Sequence, residues 1–252
     1  MKFSVVTVTY NAADVIEKTI TSVINQSCED YEYVIIDGGS TDGTCDIIGR
    51  YRDNVDVFIS EPDNGIYDGM NKAIGMATGE YVIFMNAGDS FAKDDVLNAV
   101  SAHIESSNPN PVVVYGDVIR TYKIGSRLIK ASSLSKLKTD MAFSHQSAFV
   151  QTVFAKKKRF QTQYRYAADY AMILDLYLQK VPFEYVEIPV AIVEADSGTT
   201  YNHFLDSRKE VLKCQIANGQ GVASSILYFL FVITKLYLIK WFKPIYLKFR
   251  YH

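Results

Sequence analysis

The sequence predicts an α/β protein whose mostly parallel sheet is flanked by helices, and two observations carry that expectation. Short β-rich apolar runs alternate with segments of helical spacing from Phe3 through Tyr115, the pattern that βαβ units leave in a chain. Small and acidic residues cluster where several of those runs stop, and α/β sheets bind ligands at the C-terminal edge of parallel strands.

Taken in order, residues 3–9 form the first apolar β-rich run, ended by Tyr10 and by Asn11 as a candidate helix N-cap. Val15, Ile16, Ile20, Val23 and Ile24 then recur at helical spacing. Residues 33–36 are a second buried strand, broken by the turn and capping residues Asp37-Gly38-Gly39-Ser40-Thr41-Asp42-Gly43. Ile47, Ile48 and Tyr51 mark a helix, residues 55–60 a strand, and Ile66, Met70, Asn71 and Ile74 a helix stopped by Gly79. The run Tyr81-Val82-Ile83-Phe84-Met85 reads as a buried central strand that stops at Asn86-Ala87-Gly88-Asp89. A helix through Val96, Leu97, Val100 and Ile104 follows, then a strand at 112–115. Beyond it the pattern loosens: short strands at 127–129 and 145–150, a charge run at 156–159 read as a solvated loop, a helix at 167–179, an extended stretch at 183–193 interrupted by Pro189, and a helix at 204–216.

The chain has 252 residues, 48% hydrophobic and 21% charged, which suits a folded protein with a sizeable core. Its formal charge of −2 is uneven. No acidic residue follows Glu210, whereas Lys213, Lys235, Lys240, Lys243, Lys248 and Arg250 do, so an acidic body carries a basic, aromatic tail. An anionic surface is the expected partner of that tail, and nucleic acid is not expected, because the body lacks a basic face. Cys28, Cys45 and Cys214 make neither a metal spacing nor a paired framework, which points to a reducing compartment. No signal peptide is expected, since Lys2 precedes a short apolar run without a cleavage site.

Three clusters stand at predicted strand ends: Thr7-Val8-Thr9-Tyr10-Asn11, Asp37 to Asp42, and Asn86 to Asp89. Each alone reads equally as a turn or cap. In a parallel sheet, all three face one crevice, and together they favour a nucleotide site. An acidic group flanked by small residues, as at Asp89, suits a cation bridging to phosphate. A dehydrogenase is disfavoured because no Gly-x-Gly-x-x-Gly turn follows the first strand, and no glycine-rich phosphate loop near the N-terminus supports a sugar nucleotidyltransferase.

The segments VVTVTYN, IIDGGSTDGT, EPDNGIYDGMNKAIGMATGEYVIFMNAGD and YRYAADYAM resemble the family-2 glycosyltransferases of the A-type nucleotide-diphospho-sugar (GT-A) fold, closest to the subset that builds bacterial surface polysaccharides. The resemblance is dense over 3–117, thinner to 193 and absent in the tail. It implies a nucleotide-sugar-binding half at 1–117, an acceptor-binding half of the same domain at 118–220, and a tail at 221–252. It further implies an inverting transfer from a nucleoside-diphosphate sugar, a UDP-sugar favoured, to a glycan, expected to be lipid-linked. By the same resemblance, Thr7, Thr9, Tyr10 and Asn11 line the base and ribose, and Asp37 accepts a hydrogen bond from the base. Asp68 faces ribose or sugar and Lys72 faces phosphate, with a solvated helix face as the equal alternative for both. The usual Asp-x-Asp metal motif is reduced here to Asn86-Ala87-Gly88-Asp89, leaving Asp89 to hold Mg²⁺ or Mn²⁺, with weak metal dependence expected. Asp169 is the candidate general base, the alternative being a helix cap. His145 is placed at the diphosphate or metal, or in a structural role, and Asp117 at the acceptor or a turn. The eroded metal motif also suits a different protein: a non-catalytic, membrane-associated module that binds nucleotide sugar or glycan.

Residues 226–233 are apolar, but Lys235 and Lys240 interrupt the run. Spanning a bilayer takes ~20 apolar residues, so the tail is read as an amphipathic helix on the membrane surface with Tyr228, Tyr237, Trp241 and Tyr246 at the interface. The alternative is a helix packed on the body or on a second subunit. The expected location is cytoplasmic, peripheral on the inner face of the cell membrane, and an oligomer is left open.

Overall fold

The computed structural model describes residues 1–194 and 203–250, with side chains as far as Leu238. The predicted alternation is present: β1 (Phe3–Thr9), α1 (Ile16–Ile24), β2 (Tyr31–Asp37), α2 (Thr44–Gly49), β3 (Val57–Ser60), α3 (Ile66–Met76), β4 (Tyr81–Phe84), β5 (Ser90–Phe91) and α4 (Val96–Ser106). Strands β3, β2, β1 and β4 lie side by side and parallel. Their side chains alternate between two faces. Phe3, Val5, Tyr33 and Ile35 pack with α1 and α4, while Val6, Val8, Val34 and Ile36 pack with α3 and the later helices. Ile16, Thr19, Ile20 and Val23, at helical spacing, supply the buried face of α1.

The second half joins the same sheet differently from the mostly parallel expectation. The chain continues through β6 (Val113–Tyr122), β7 (Gly125–Ile129), β8 (Ala148–Gln151), α5 (Thr152–Lys158), α6 (Ala168–Leu178), β9 (Phe183–Glu194), α7 (Phe204–Ala217) and α8 (Val222–Arg250). Strand β8 inserts antiparallel between β4 and β6, β9 runs parallel to β6, and β5 closes the far edge against β9. The sheet is therefore mixed, parallel from β3 to β4 and largely antiparallel beyond, with β6–β9 the parallel pair there. Pro189 sits beside Asp117 at an irregularity in the β6–β9 register, the kind of place where a strand tolerates proline.

Three local expectations change. Asn11 is not the cap of α1, which starts at Ile16, because Asn11 adopts the left-handed region (φ 45°) and turns the chain toward the β2 loop. The stretch read as one strand at 145–150 is a 3₁₀ turn, His145–Ser147, followed by β8. The charge run falls at the end of α5 rather than in a loop: Thr152 and Ala155 bury one face, and Lys156, Lys157 and Lys158 form the last turn, where cations complement the helix dipole.

Candidate active site

The tips of β2, β1 and β4 stand next to one another. Thr9 pairs with Asp37, and Met85 N–H to Val6 C=O (2.8 Å) and Ala87 N–H to Val8 C=O (3.2 Å) carry the β4 pairing past its last strand residue. The first two loops are fastened together. Asn11 N–H donates to Ser40 Oγ (2.7 Å), Thr41 N–H to Asn11 Oδ1 (2.9 Å), Ala12 N–H to Thr44 Oγ1 (2.8 Å) and Ala13 N–H to Asp42 Oδ2 (3.0 Å).

The sequence-predicted nucleoside residues divide on this edge. Thr7 is wholly buried on the Phe3–Val5 face, with its hydroxyl bonded to Tyr33 Oη (2.9 Å) and donating to Met85 C=O (2.8 Å). It lies two residues below the strand tip, with its hydroxyl engaged inside the core. Thr9 Oγ1 is buried with no partner, and Tyr10 projects outward, 64% exposed. Asp37 is wholly buried, and its carboxylate accepts from Gly39 N–H, Ser40 N–H, Ser60 Oγ, Cys45 Sγ and the Ser40 hydroxyl. Burial raises its pKa, but the bonds from Ser40, Ser60 and Cys45 outweigh this and hold it below the usual carboxylate range. With those donors in place, Asp37 braces its own loop.

A different carboxylate stands over that edge. Asp63 accepts from Gly65 N–H (2.9 Å), and its Oδ2 would lie 2.8 Å from a Cβ at Gly38 and 3.1 Å from one at Gly69. Only glycines admit it so close. Sequence reasoning did not single out Asp63, although it lies inside the EPDNG segment. Asp68, in the first turn of α3, accepts from Asn64 N–H (3.0 Å). Lys72 Nζ is 2.8 Å from Glu61 Oε1 and donates to Pro62 C=O (3.2 Å), so its charge is already paired on the α3 surface.

Residues 86–89 form a tight turn closed by Asp89 N–H to Asn86 C=O (2.9 Å), with Gly88 at φ 97°, a backbone region natural to glycine. Thr19, reaching up from α1, locks it by accepting from Gly88 N–H (2.9 Å) and donating to Asp89 C=O (2.7 Å). Ala87 and Gly88 leave little bulk here, and Asn86 Oδ1 is buried without a partner. Burial pushes the Asp89 carboxyl up to about 6, against the opposing pull of His145, the Gln146 hydrogen bond (3.1 Å) and the charge of Lys18.

Asp169 sits in the first turn of α6, across from that loop. Its Oδ2 is 3.0 Å from His145 Nδ1, and its Oδ1 accepts from Tyr67 Oη at 2.9 Å. Burial raises the Asp169 pKa, but the His145 bond and charge, with help from Tyr67, bring it below the ordinary value, so the group is ionised at neutral pH. Burial lowers that of His145, and Asp169 and Asp89 together overcome this and raise it. His145 thus stands electrostatically between the two carboxylates, and its Nε2 is buried with no partner. Tyr67 and Gln146 were not assigned from the sequence. Tyr67 lay in the DNGIYDGMNKA segment, but nothing in its spacing points to a residue 102 positions away.

Among the described residues no group of three or more His, Cys, Asp or Glu could hold a metal. Asp89, the orphaned His145 Nε2 and the orphaned Asn86 Oδ1 fit a cation that takes its remaining ligands from phosphate and water, as Mg²⁺ commonly does. Asp117 is a structural carboxylate, buried and accepting from Ala131 N–H (2.9 Å) and Tyr185 Oη (2.8 Å). Its bonds brace β6 against β9 and the segment after β7.

Comparison with known proteins bears on the family and the fold. The model for Glycosyl transferase family 2 matches residues 4–172. A PGL/p-HBAD biosynthesis glycosyltransferase of Mycobacterium tuberculosis is 34% identical over 172 residues, covering 67% of this chain and 66% of that protein's length. Among solved structures, S. aureus TarS 1-349 in complex with UDP-GlcNAc has a TM-score of 0.69 at 19% identity, over 91% of this chain and 70% of that one. Mannosyltransferase PcManGT from Pyrobaculum calidifontis, in complex with GDP-Man and Mn²⁺, has a TM-score of 0.68 at 19% identity, over 90% and 69%. The two structures share the GT-A-like fold, and the matched sequence shows the family: the chain belongs to glycosyl transferase family 2.

Proposed function

We propose that the chain transfers a sugar from a nucleoside-diphosphate donor to a glycan acceptor, with inversion at the anomeric carbon, in the synthesis of a bacterial surface polysaccharide. The observation that carries this reading is the 3₁₀ turn between two carboxylates: Gln146 donates to Asp89 at the tip of β4, and His145 beside it meets Asp169 in the first turn of α6. The donor diphosphate lies at Asn86–Asp89, and the nucleoside between the fastened loops and Asp63. Thr9 Oγ1 supplies an unspent hydrogen-bonding group at that edge.

The acceptor hydroxyl approaches the anomeric carbon from the Asp169 side. As its oxygen forms the new C–O bond, its proton passes to Asp169, and the old C–O bond breaks with its electron pair going to the diphosphate. Tyr67 and His145 keep the carboxylate aimed while it accepts the proton. Asp89 and His145 would hold a divalent cation, which would neutralise charge on the leaving diphosphate. Holding donor and acceptor in line removes much of the entropic barrier.

A UDP-sugar remains the favoured donor, although the similar structures contain both UDP-GlcNAc and GDP-Man. A thermal-shift panel of UDP- and GDP-sugars with and without Mn²⁺ tests the assignment, because ligands that bind the folded state raise its stability. A rise confined to one nucleotide names the base, and a flat panel rejects the donor reading. The non-catalytic alternative draws on the single carboxylate left at the β4 tip. It predicts a thermal shift with no release of nucleoside diphosphate when acceptor is added, whereas a transferase releases it.

The acceptor is proposed to be lipid-linked, because α8 offers a surface suited to a bilayer. Leu227, Leu230, Phe231 and Leu238 are all exposed on it, at spacings that place them along one side. Lys235 is exposed nearby, and Lys240, Lys243, Lys248 and Arg250 follow in sequence. Tyr237 is exposed and Tyr228 is partly buried against α7, while Trp241 and Tyr246 lie outside the described side chains. Among the described residues no helix is long and apolar enough to cross a membrane, which accords with a helix lying in the interface of an anionic leaflet. The chain is then peripheral, on the inner face of the cell membrane. Truncation after Gly221 is expected to abolish sedimentation with anionic liposomes; unchanged partitioning removes the anchor.

A further inference from the structure

Helix α6 carries Asp169 but does not cap itself, since Ala167 at its N-cap position has no side-chain acceptor. The acceptor comes from α7. Glu210 Oε1 accepts from Arg165 N–H (2.9 Å), and its Oε2 accepts from Tyr166 N–H (2.7 Å) and Ala167 N–H (3.1 Å). Three successive backbone donors converge on one carboxylate directly before the turn that holds Asp169.

The same side of α7 grips α6 twice more. Cys214, one helical turn beyond Glu210 and wholly buried, has Sγ 3.9 Å from Ala167 C=O. Gln215 Nε2 donates to Tyr170 Oη (3.2 Å) and to Thr139 C=O (2.7 Å). Asp169 therefore lies between two residues, Ala167 and Tyr170, that α7 fixes. Its carboxylate meets Tyr67 from α3 and His145 from the 3₁₀ turn. The backbone of the base is set by α7 and its oxygens by two other elements.

We propose that Glu210 is a positioning residue for transfer: by clamping the backbone at 165–167 it sets where the proton-accepting oxygens of Asp169 stand relative to the acceptor. Glu210 lies beyond the residues matched by the family model, which end at 172, so the clamp is contributed by this chain's C-terminal segment. The inference rests on reading Asp169 as the general base. Misplacing a reacting group by about 1 Å from a distance costs up to ~10²-fold in rate, whereas the residues proposed for the donor lie at the β1, β2 and β4 tips and not on α7.

The test uses the full chain with Glu210→Ala, Glu210→Gln and Asp169→Asn. The expected result for E210A is a fall in kcat of about tenfold or more, with donor KM and the thermal shift produced by nucleoside diphosphate unchanged. E210Q, which keeps one acceptor oxygen, is expected to lie between E210A and the parent protein. The imidazole N–H resonance of His145 is expected to move in E210A without donor present, since its partner Asp169 has shifted. Parent-like kcat in a folded E210A overturns the proposal. Equal losses of kcat and donor affinity also overturn it, since they mark general disruption. If E210A does not fold, E210Q decides on the same two criteria. Near-normal turnover in D169N defeats the general-base reading itself, and the proposal with it. An inactive D169N that still binds donor, beside a fully active E210A, defeats only the role of Glu210.

Discussion

Asp169→Asn is expected to lower kcat by ~10²–10⁴-fold and to leave donor binding close to that of the parent protein. The amide keeps the shape of the carboxylate. Its oxygen can still accept from His145 Nδ1, which lies 3.0 Å from Oδ2, and its nitrogen can face Tyr67 Oη, 2.9 Å from Oδ1. What the substitution removes is the charge and the capacity to take a proton. Asp169 is ionised across neutral pH, because the His145 bond and charge more than offset its burial. The measurement is steady-state release of nucleoside diphosphate at saturating donor, with calorimetric donor binding in parallel. Turnover within a few-fold of the parent protein would remove Asp169 from the chemistry.

The second large effect is expected at Asp89. Its carboxyl is pushed up to about 6 from an ordinary value of 3.8, with burial as the largest cause. For the cation-free protein the sign follows directly. Below about 3.8 the group is protonated folded or unfolded, and the folded state keeps its relative advantage. As pH rises through about 6 that advantage is lost, and ionised Asp89 becomes a burden of up to ~3 kcal/mol. Asp89→Asn should therefore raise the thermal midpoint at pH 7.5 without metal while cutting cation-supported turnover by ~10²-fold or more. A cation needs the carboxylate, so its affinity for the parent protein should weaken as pH falls below about 6, with more protons released on binding at pH 5.5, where Asp89 gives up its own, than at pH 7.5. Calorimetry in two buffers of different ionisation heat counts those protons. Equal proton counts at both pH values, or metal-stimulated turnover that survives in the Asn variant, would separate Asp89 from the cation.

The N-terminal half was legible because its order is local. The near-continuous apolar runs of β1 and β2, and the helical spacing of Ile16, Ile20 and Val23, are written within a few residues of one another. The second half was not, because β8 enters the sheet through antiparallel pairing with β4 and β6, and a short strand carries no mark of its partners. Lysines at 156–158 hid a helix whose buried side is only Thr152 and Ala155. At the site, the strand-end clusters announced the edge but not which side chains face it. Thr7 shares its face with Phe3, Val5 and Thr9, and only its depth below the strand tip separates it from the edge. The partners of the Asp169 carboxylate come from residues 67 and 145, and the backbone before it is held from residue 210, a convergence that only tertiary structure supplies.

The fastening of the β1 and β2 loops by Asn11, Ser40, Thr44 and Asp42 bears on how fast this protein finds its substrate. A rim tied to itself before any encounter spares the incoming molecule the entropic toll of freezing loose loops. Capture on that side should follow diffusion and charge, with little slow isomerisation after collision.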